Sequence, residues 1–216
     1  MEFKHLLLDL DNTLYASTEK MGDEITERMH TFISQFLNIS YDEAVSLRAK
    51  NLPSYGTTLE WLKDKYSLKD EKAYFDAVHP EQELNELTPD PGLRPFLISL
   101  ALPMTVLTNS PMAHAERVLR FFNIEDLFCG IFDLTFHHGK GKPNAECFYN
   151  TLASVGFSVR ETLFVDDHPK YVMGYKHIGG RAALVDQSGR YFGFAQKEDF
   201  FHIPSIYGLE EILRTH

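Results

Sequence analysis

Short apolar runs that stop abruptly at polar residues recur along this chain. Residues 3–8 stop at Asp9, residues 104–107 at Thr108 and Asn109, and residues 162–165 at Asp166 and Asp167. A more mixed run at 130–136 ends near His137, and a further one spans 182–185. Runs this brief, rich in Leu, Val, Phe and Ile, read as buried strands. Between them lie helical patterns at 93–100, 113–122, 145–155 and 170–178. Strands alternating with helices predict an α/β fold, a doubly wound parallel sheet covered on both faces. Open sheets of this kind bind ligands outside the carboxyl ends of their strands, which is where these polar residues fall.

Residues 16–88 break the alternation. Met21, Ile25, Met29, Phe32, Ile33 and Phe36 recur at spacings of three and four, the mark of an amphipathic helix. Further helical pieces follow at 41–50, 57–65 and 70–78, and Pro89-Asp90-Pro91-Gly92 marks a sharp return. A structureless loop of that length is implausible inside a compact chain. The expected organisation is therefore a core built from residues 1–15 and 89–216, with a small α-helical cap at 16–88 inserted over the strand ends.

Composition narrows the partners. At 216 residues the chain has room for one domain carrying an insert, and 44% hydrophobic with 24% charged residues suits a soluble globular protein. A formal charge of −10 disfavours nucleic acid and anionic membrane as partners, yet leaves room for a small phosphorylated substrate at a locally basic site. Cys129 and Cys147 form no CxxC pair, which fits a reduced, cytoplasmic setting. Asp9 and Asp11 cut the first apolar run, so neither a signal-peptide core nor a membrane span is expected.

Candidate chemistry gathers at the strand ends. Asp9-Leu10-Asp11-Asn12-Thr13 follows the first strand, and alternate residues of an extended segment point the same way, so both carboxylates are expected in one cleft. Thr108 ends the second strand, Lys142 sits in Gly139-Lys140-Gly141-Lys142-Pro143, and Asp166-Asp167 ends the fourth. The lysine loop is no nucleotide P-loop, because Pro143 stands where that motif needs Ser or Thr. No HExxH or Cys/His cluster supports zinc; His137, His138 and His168 read as surface or outlying histidines. Lys140 is a rival to Lys142 for holding phosphate.

These motifs, in this order, resemble those of the haloacid dehalogenase superfamily: DxDxT at Asp9–Thr13, a strand ending in Thr108, Lys142 before Pro143, and the acidic pair Asp166-Asp167. The resemblance covers residues 3 to about 185 and implies a Rossmann-like core with a cap between the first two motifs. It also implies Asp9 as a nucleophile forming an aspartyl-phosphate and Asp11 as the acid and base. Thr108, Asn109 and Lys142 would hold the phosphoryl group. Mg²⁺ would sit on Asp9, the Asp11 carbonyl and Asp167, with Asp166 either a ligand through water or an orienting group. Dehalogenases of the superfamily lack the second acid, and pumping ATPases carry Thr there, so Asp11 favours phosphomonoester hydrolysis. Mutases keep both acids and stay open. Short strings around Ser46–Arg48, Tyr55–Leu59, His79 and Pro89–Pro91 resemble the pyrimidine 5′-nucleotidase branch, which implies a nucleoside monophosphate recognised by Arg48 and Tyr55. Sugar phosphates, a broad-specificity phosphatase and a catalytically idle binding module are the alternatives.

Overall fold

The computed structural model describes residues 2–16 and 19–215. Six parallel strands form one sheet in the order β3-β2-β1-β4-β5-β6. They are β1 (His5–Leu8), β2 (Met104–Leu107), β3 (Phe128–Phe132), β4 (Thr162–Asp166), β5 (Arg181–Val185) and β6 (Phe201–Ile203). Because side chains alternate across a strand, Leu6 and Leu8 enter one core while Leu7 enters the other; Leu163 and Val165 part from Phe164 in the same way. Both faces are therefore buried, as a parallel sheet demands.

The helices α5 (Leu93–Ser99), α6 (Met112–Phe121) and α10 (Leu209–Thr215) contribute to the first core. The second core takes residues from α7 (Ala145–Val155), α8 (Pro169–His177) and α9 (Phe192–Lys197). From β1 the chain winds outward through β2 to β3, then returns to build β4, β5 and β6 on the other side. The order reverses beside β1, so the loops after β1, β2 and β4 meet at one crevice.

Among the described residues, the insert contributes only helices and short 3₁₀ turns: α1 (Lys20–Leu37), α2 (Tyr41–Asn51), α3 (Thr58–Tyr66) and α4 (Glu71–Val78). Their starts are encoded locally. Ser40 and Glu43 form a reciprocal capping box, and the side chains of Thr57 and Asp70 accept from the first-turn amides of α3 and α4. Met21, Ile25 and Ile33 bury the predicted stripe of α1, whereas Phe36 is exposed. These residues join Trp61, Leu62 and Tyr74 in a cluster continuous with the sheet's first core through Leu10 and Leu14.

The structure departs from the sequence pattern in two places. The third strand is Phe128–Phe132 rather than 130–136. At Asp133 the side chain accepts from the amides of Met112 and Phe136 and turns the chain out of the sheet, although Leu134 remains buried. The final strand β6 and helices α9 and α10 carried too little periodicity to be anticipated. No helix is long and apolar enough to cross a membrane among the described residues.

Candidate active site

β1 pairs with β4 up to Asp9, whose amide donates to the Val165 carbonyl. The chain then coils: the Leu10 carbonyl accepts from the amides of Thr13 and Leu14, and Asn12 takes a left-handed conformation at φ 60°. This turn sorts the two carboxylates into different surroundings rather than aligning them along one extended edge. Asp9 faces Lys142. Asp11 faces Tyr15, Ser110 and His114.

Lys142 is 1% exposed, and its Nζ donates to Asp9 Oδ1 at 2.5 Å and Asp166 Oδ2 at 2.7 Å. The ammonium also lies 5.7 Å and 5.2 Å from the ring centres of Phe164 and Tyr171. Burial disfavours its charge, but Asp166 and Asp9 outweigh burial and hold its pKa above the ordinary lysine value. The rival Lys140 is exposed. A cis peptide joins Lys142 to Pro143. Asn109, expected among the substrate-binding residues, instead binds the Lys142 backbone with both ends of its amide: Oδ1 accepts from the Lys142 amide at 2.8 Å and Nδ2 donates to its carbonyl at 3.0 Å. Gly141 makes this possible, since a Cβ there would stand 2.0 Å from Asn109 Oδ1.

Thr108 is buried at the end of β2; its Oγ1 accepts from the Ser110 amide, leaving the hydroxyl proton free for a ligand. Asp166 is fully engaged, because its second oxygen accepts from the His168 amide at 2.8 Å. Asp167 is partly exposed and borders a cavity of about 240 Å³ that also touches Asn12, Thr13, Arg190, Tyr191 and Tyr207. Oxygen atoms of Asp9, Asp166 and Asp167 lie within 4.8 Å of one another. Burial pushes the Asp9 carboxyl up to about 7, against the pull of Lys142, and the neighbouring Asp166 and Asp11 charges add to the rise. Asp167 is raised for the same reasons, burial first and then Asp166 and Asp9. Three clustered carboxylates facing one ammonium leave an excess of negative charge. That hard-oxygen set fits a small divalent cation such as Mg²⁺. With Asp166 occupied by Lys142 and a backbone amide, Asp167 is the better placed ligand.

Asp11 accepts from three side chains: Tyr15 Oη at 2.7 Å, Ser110 Oγ at 2.7 Å and His114 Nε2 at 2.7 Å. Burial opposes its charge, yet His114 and Tyr15 more than compensate, holding the carboxyl well below the usual range. His114 is itself wholly buried; Asp11 and Glu83 overcome the burial penalty and lift it to about 9. None of Tyr15, Ser110 and His114 belonged to the sequence motifs. The only signal for His114 was a histidine one turn into the helix that follows Thr108.

Residues 52–56 are bonded to the core beside this crevice. From α8, the Lys170 ammonium donates to the carbonyls of Leu52 at 3.3 Å, Pro53 at 3.2 Å and Tyr55, while Tyr171 Oη donates to the Gly56 carbonyl at 3.0 Å. Gly56 packs so tightly that a Cβ would lie 2.9 Å from the Lys142 carbonyl. The two residues expected to read the substrate are engaged within the insert. Arg48 Nε donates to Thr58 Oγ1 at 2.9 Å, although the guanidinium stays mostly buried and within electrostatic reach of Tyr171. Tyr55 donates its hydroxyl to Asp64 at 2.6 Å, and its carbonyl accepts from Lys170. His137 bonds Thr151, and the exposed His168 caps α8, so neither is a direct site group.

Comparison with known proteins places this geometry in context. A family model for haloacid dehalogenase-like hydrolases matches residues 3–179. "Phosphate metabolism protein 8" of Saccharomyces cerevisiae is 27% identical over 197 residues, covering 81% of this chain. The chain spans 60% of that relative's length. "Glyceraldehyde 3-phosphate phosphatase" of Methanocaldococcus jannaschii is 26% identical over 188 residues, 82% of each chain. A predicted phosphatase from Clostridium acetobutylicum superimposes with a TM-score of 0.69 over the full length of both chains at 17% identity, which establishes likeness of fold. With the family model spanning most of its length, this chain belongs to the haloacid dehalogenase-like hydrolases.

Proposed function

We propose that the chain is a Mg²⁺-dependent phosphatase that hydrolyses a small phosphomonoester, with a nucleoside monophosphate as its substrate, through an aspartyl-phosphate on Asp9. The observation that carries this reading is the pair of carboxylates in opposed surroundings. Asp9 lies against Lys142, and Asp11 sits apart among hydroxyl and imidazole donors. Asp9 points at the ammonium that would hold the phosphoryl group, whereas Asp11 is bonded to an imidazole that can exchange a proton with it, which suits the first for attack and the second for proton transfer. The phosphatase names of two relatives or neighbours support the class of reaction.

An oxygen of Asp9 attacks phosphorus, the bond to the leaving oxygen breaks, and that oxygen gains a proton relayed through Asp11 from the His114 imidazolium bonded to it. Water then attacks the acyl phosphate, Asp11 takes its proton, and the Asp9–phosphorus bond breaks to release phosphate. Lys142 and the Thr108 hydroxyl hold phosphoryl oxygens, so that most of the work is positioning and charge neutralisation. Asp9, Asp167 and the Asp11 carbonyl would hold Mg²⁺, which supplies positive charge opposite the transferring group. Residues 16–88 form the cap, and the Arg48 guanidinium, released from Thr58 and Met29, would favour an anionic or carbonyl-bearing substrate. The deciding experiment incubates the protein with Mg²⁺ and a panel of nucleoside and sugar monophosphates, quenches rapidly, and analyses the peptide containing residues 8–13 by mass spectrometry. Phosphate on Asp9 with fastest turnover of nucleoside monophosphates is expected. Label elsewhere overturns the mechanism, and faster sugar-phosphate turnover overturns the substrate.

A further inference from the structure

We propose that His114 and Glu83 are positioning residues for the Asp11 carboxylate, linking the root of the helical insert to the proton carrier of the reaction. The inference rests on Asp11 having that role.

Glu83 lies in the 3₁₀ stretch Glu81–Glu86, where the chain returns from the insert, and it is 0% exposed. A lone carboxylate at that depth would be expensive to ionise. Its surroundings explain why it is there. Glu83 Oε1 lies 2.9 Å from His114 Nδ1, while Arg117 donates to the same oxygen from Nη2 at 2.5 Å and Nε at 3.1 Å. The other oxygen, Oε2, is 3.1 Å from His79 Nδ1, and Arg117 also binds the His79 carbonyl at 2.9 Å. The rings of His79 and His114 lie 4.3 Å apart. His114 completes the chain through Nε2 on Asp11.

The His114 imidazole thus lies between two carboxylates, bonded to Asp11 through Nε2 and in ion-pair contact with Glu83 through Nδ1, with the outer carboxylate on a different segment from the inner one. One ring nitrogen faces each acid. Rotating the His114 ring would abandon both contacts, so Glu83 fixes the orientation in which Nε2 meets Asp11. Outer partners that orient a ring in this way can matter about as much as the groups they orient. The donor atoms of His79, Glu83 and His114 lie within 4.8 Å of one another, a set that also suits a metal ion. Arg117 already supplies the positive charge that Glu83 needs, with two hydrogen bonds, so the network closes without a metal.

Displacement of a catalytic group by about an ångström lowers rates up to about 100-fold. The loss should fall on the step in which Asp11 delivers a proton, and not on substrate binding. The test compares kcat/KM, which reports events up to phosphoenzyme formation, for an alkyl phosphate and for p-nitrophenyl phosphate. Nitrophenolate departs without protonation, whereas an alkoxide does not. His114→Gln should lower the alkyl-to-aryl ratio about 10–100-fold, and Glu83→Gln should lower it in the same direction by less. Arg28→Ala serves as the control, since it breaks an ion pair to Glu86 in the same returning segment and should leave the ratio unchanged. In an Asp11→Asn background neither His114→Gln nor Glu83→Gln should alter the ratio further. An unchanged ratio in both single variants, or an equal loss in the Asp11→Asn background, overturns the inference alone. If Asp11→Asn itself leaves the ratio untouched, the assigned role of Asp11 fails and the inference with it.

Discussion

Replacing Asp9 by Asn should abolish turnover and, in the absence of divalent cation, make the protein more stable at pH 8. The reason lies in the local charge balance. Asp9, Asp166 and Asp167 cluster within 4.8 Å, and the one ammonium bonded among them is Lys142. Burial and like charges push the Asp9 carboxyl from 3.8 up to about 7. Between those two values the folded state keeps a proton that the unfolded chain has released, so raising pH through that window destabilises the fold. At about 1.4 kcal/mol per tenfold, the ionised carboxylate costs about 4 kcal/mol at pH 8. Asn escapes that penalty, and the attraction of Lys142 is already contained in the shifted value. The gain is therefore about 4 kcal/mol, a rise in Tm of roughly 10 °C for a chain of this size. Thermal and urea unfolding of both proteins should be followed at pH 5 and pH 8, with chelator and with Mg²⁺. The gap should narrow at pH 5 to about 2 kcal/mol, vanish only below about pH 3.8 where the unfolded chain also holds the proton, and shrink or reverse in Mg²⁺, which stabilises the form that binds it. An Asp9→Asn protein less stable than wild type at pH 8 in chelator, or a gap independent of pH, refutes the electrostatic account.

Three further outcomes follow from the same geometry. Exhaustive chelation should abolish phosphatase activity and Mg²⁺ should restore it, while Ca²⁺, with its larger and looser coordination, should inhibit; full activity after chelation would contradict the cation site. Lys170→Ala removes the ammonium held by the carbonyls of Leu52, Pro53 and Tyr55, so limited proteolysis within residues 52–56 should accelerate several-fold; unchanged cleavage would show that the loop is held by packing alone. His5, wholly buried between Thr105 and Thr162, is lowered by burial to about 4. The unfolded chain gains that proton near pH 6.5 and the folded state does not, so stability should fall by about 3 kcal/mol as pH drops from 6.5 to 4. His5→Gln should flatten that slope in urea titrations, and an identical slope would reject the assignment.

Much of this protein is legible in its sequence because its signals are local. Buried strands of four or five residues read as apolar runs, and in a parallel sheet their carboxyl ends are where chemistry must lie, so Asp9, Thr108 and Asp166-Asp167 could be singled out beforehand. The helices of the insert were likewise visible as periodic or helical stretches, and the structure adds the caps Ser40, Thr57 and Asp70 that start three of them. Local signals stop at the edge of each element. Only the packed structure decided that Lys142, not Lys140, is driven into the interior, because the Asn109 amide grips its backbone at a glycine. Only the turn at Asn12 could separate Asp11 from Asp9. The partners of Asp11 come from residues about a hundred positions away, Ser110 and His114, with Glu83 behind them. Nothing in the spacing of those residues betrays the contact, since charge pairing in a dry crevice is a property of three-dimensional proximity. The polar contacts that Lys170 and Tyr171 make to residues 52–56 end on backbone carbonyls, which every residue carries and no sequence pattern can mark.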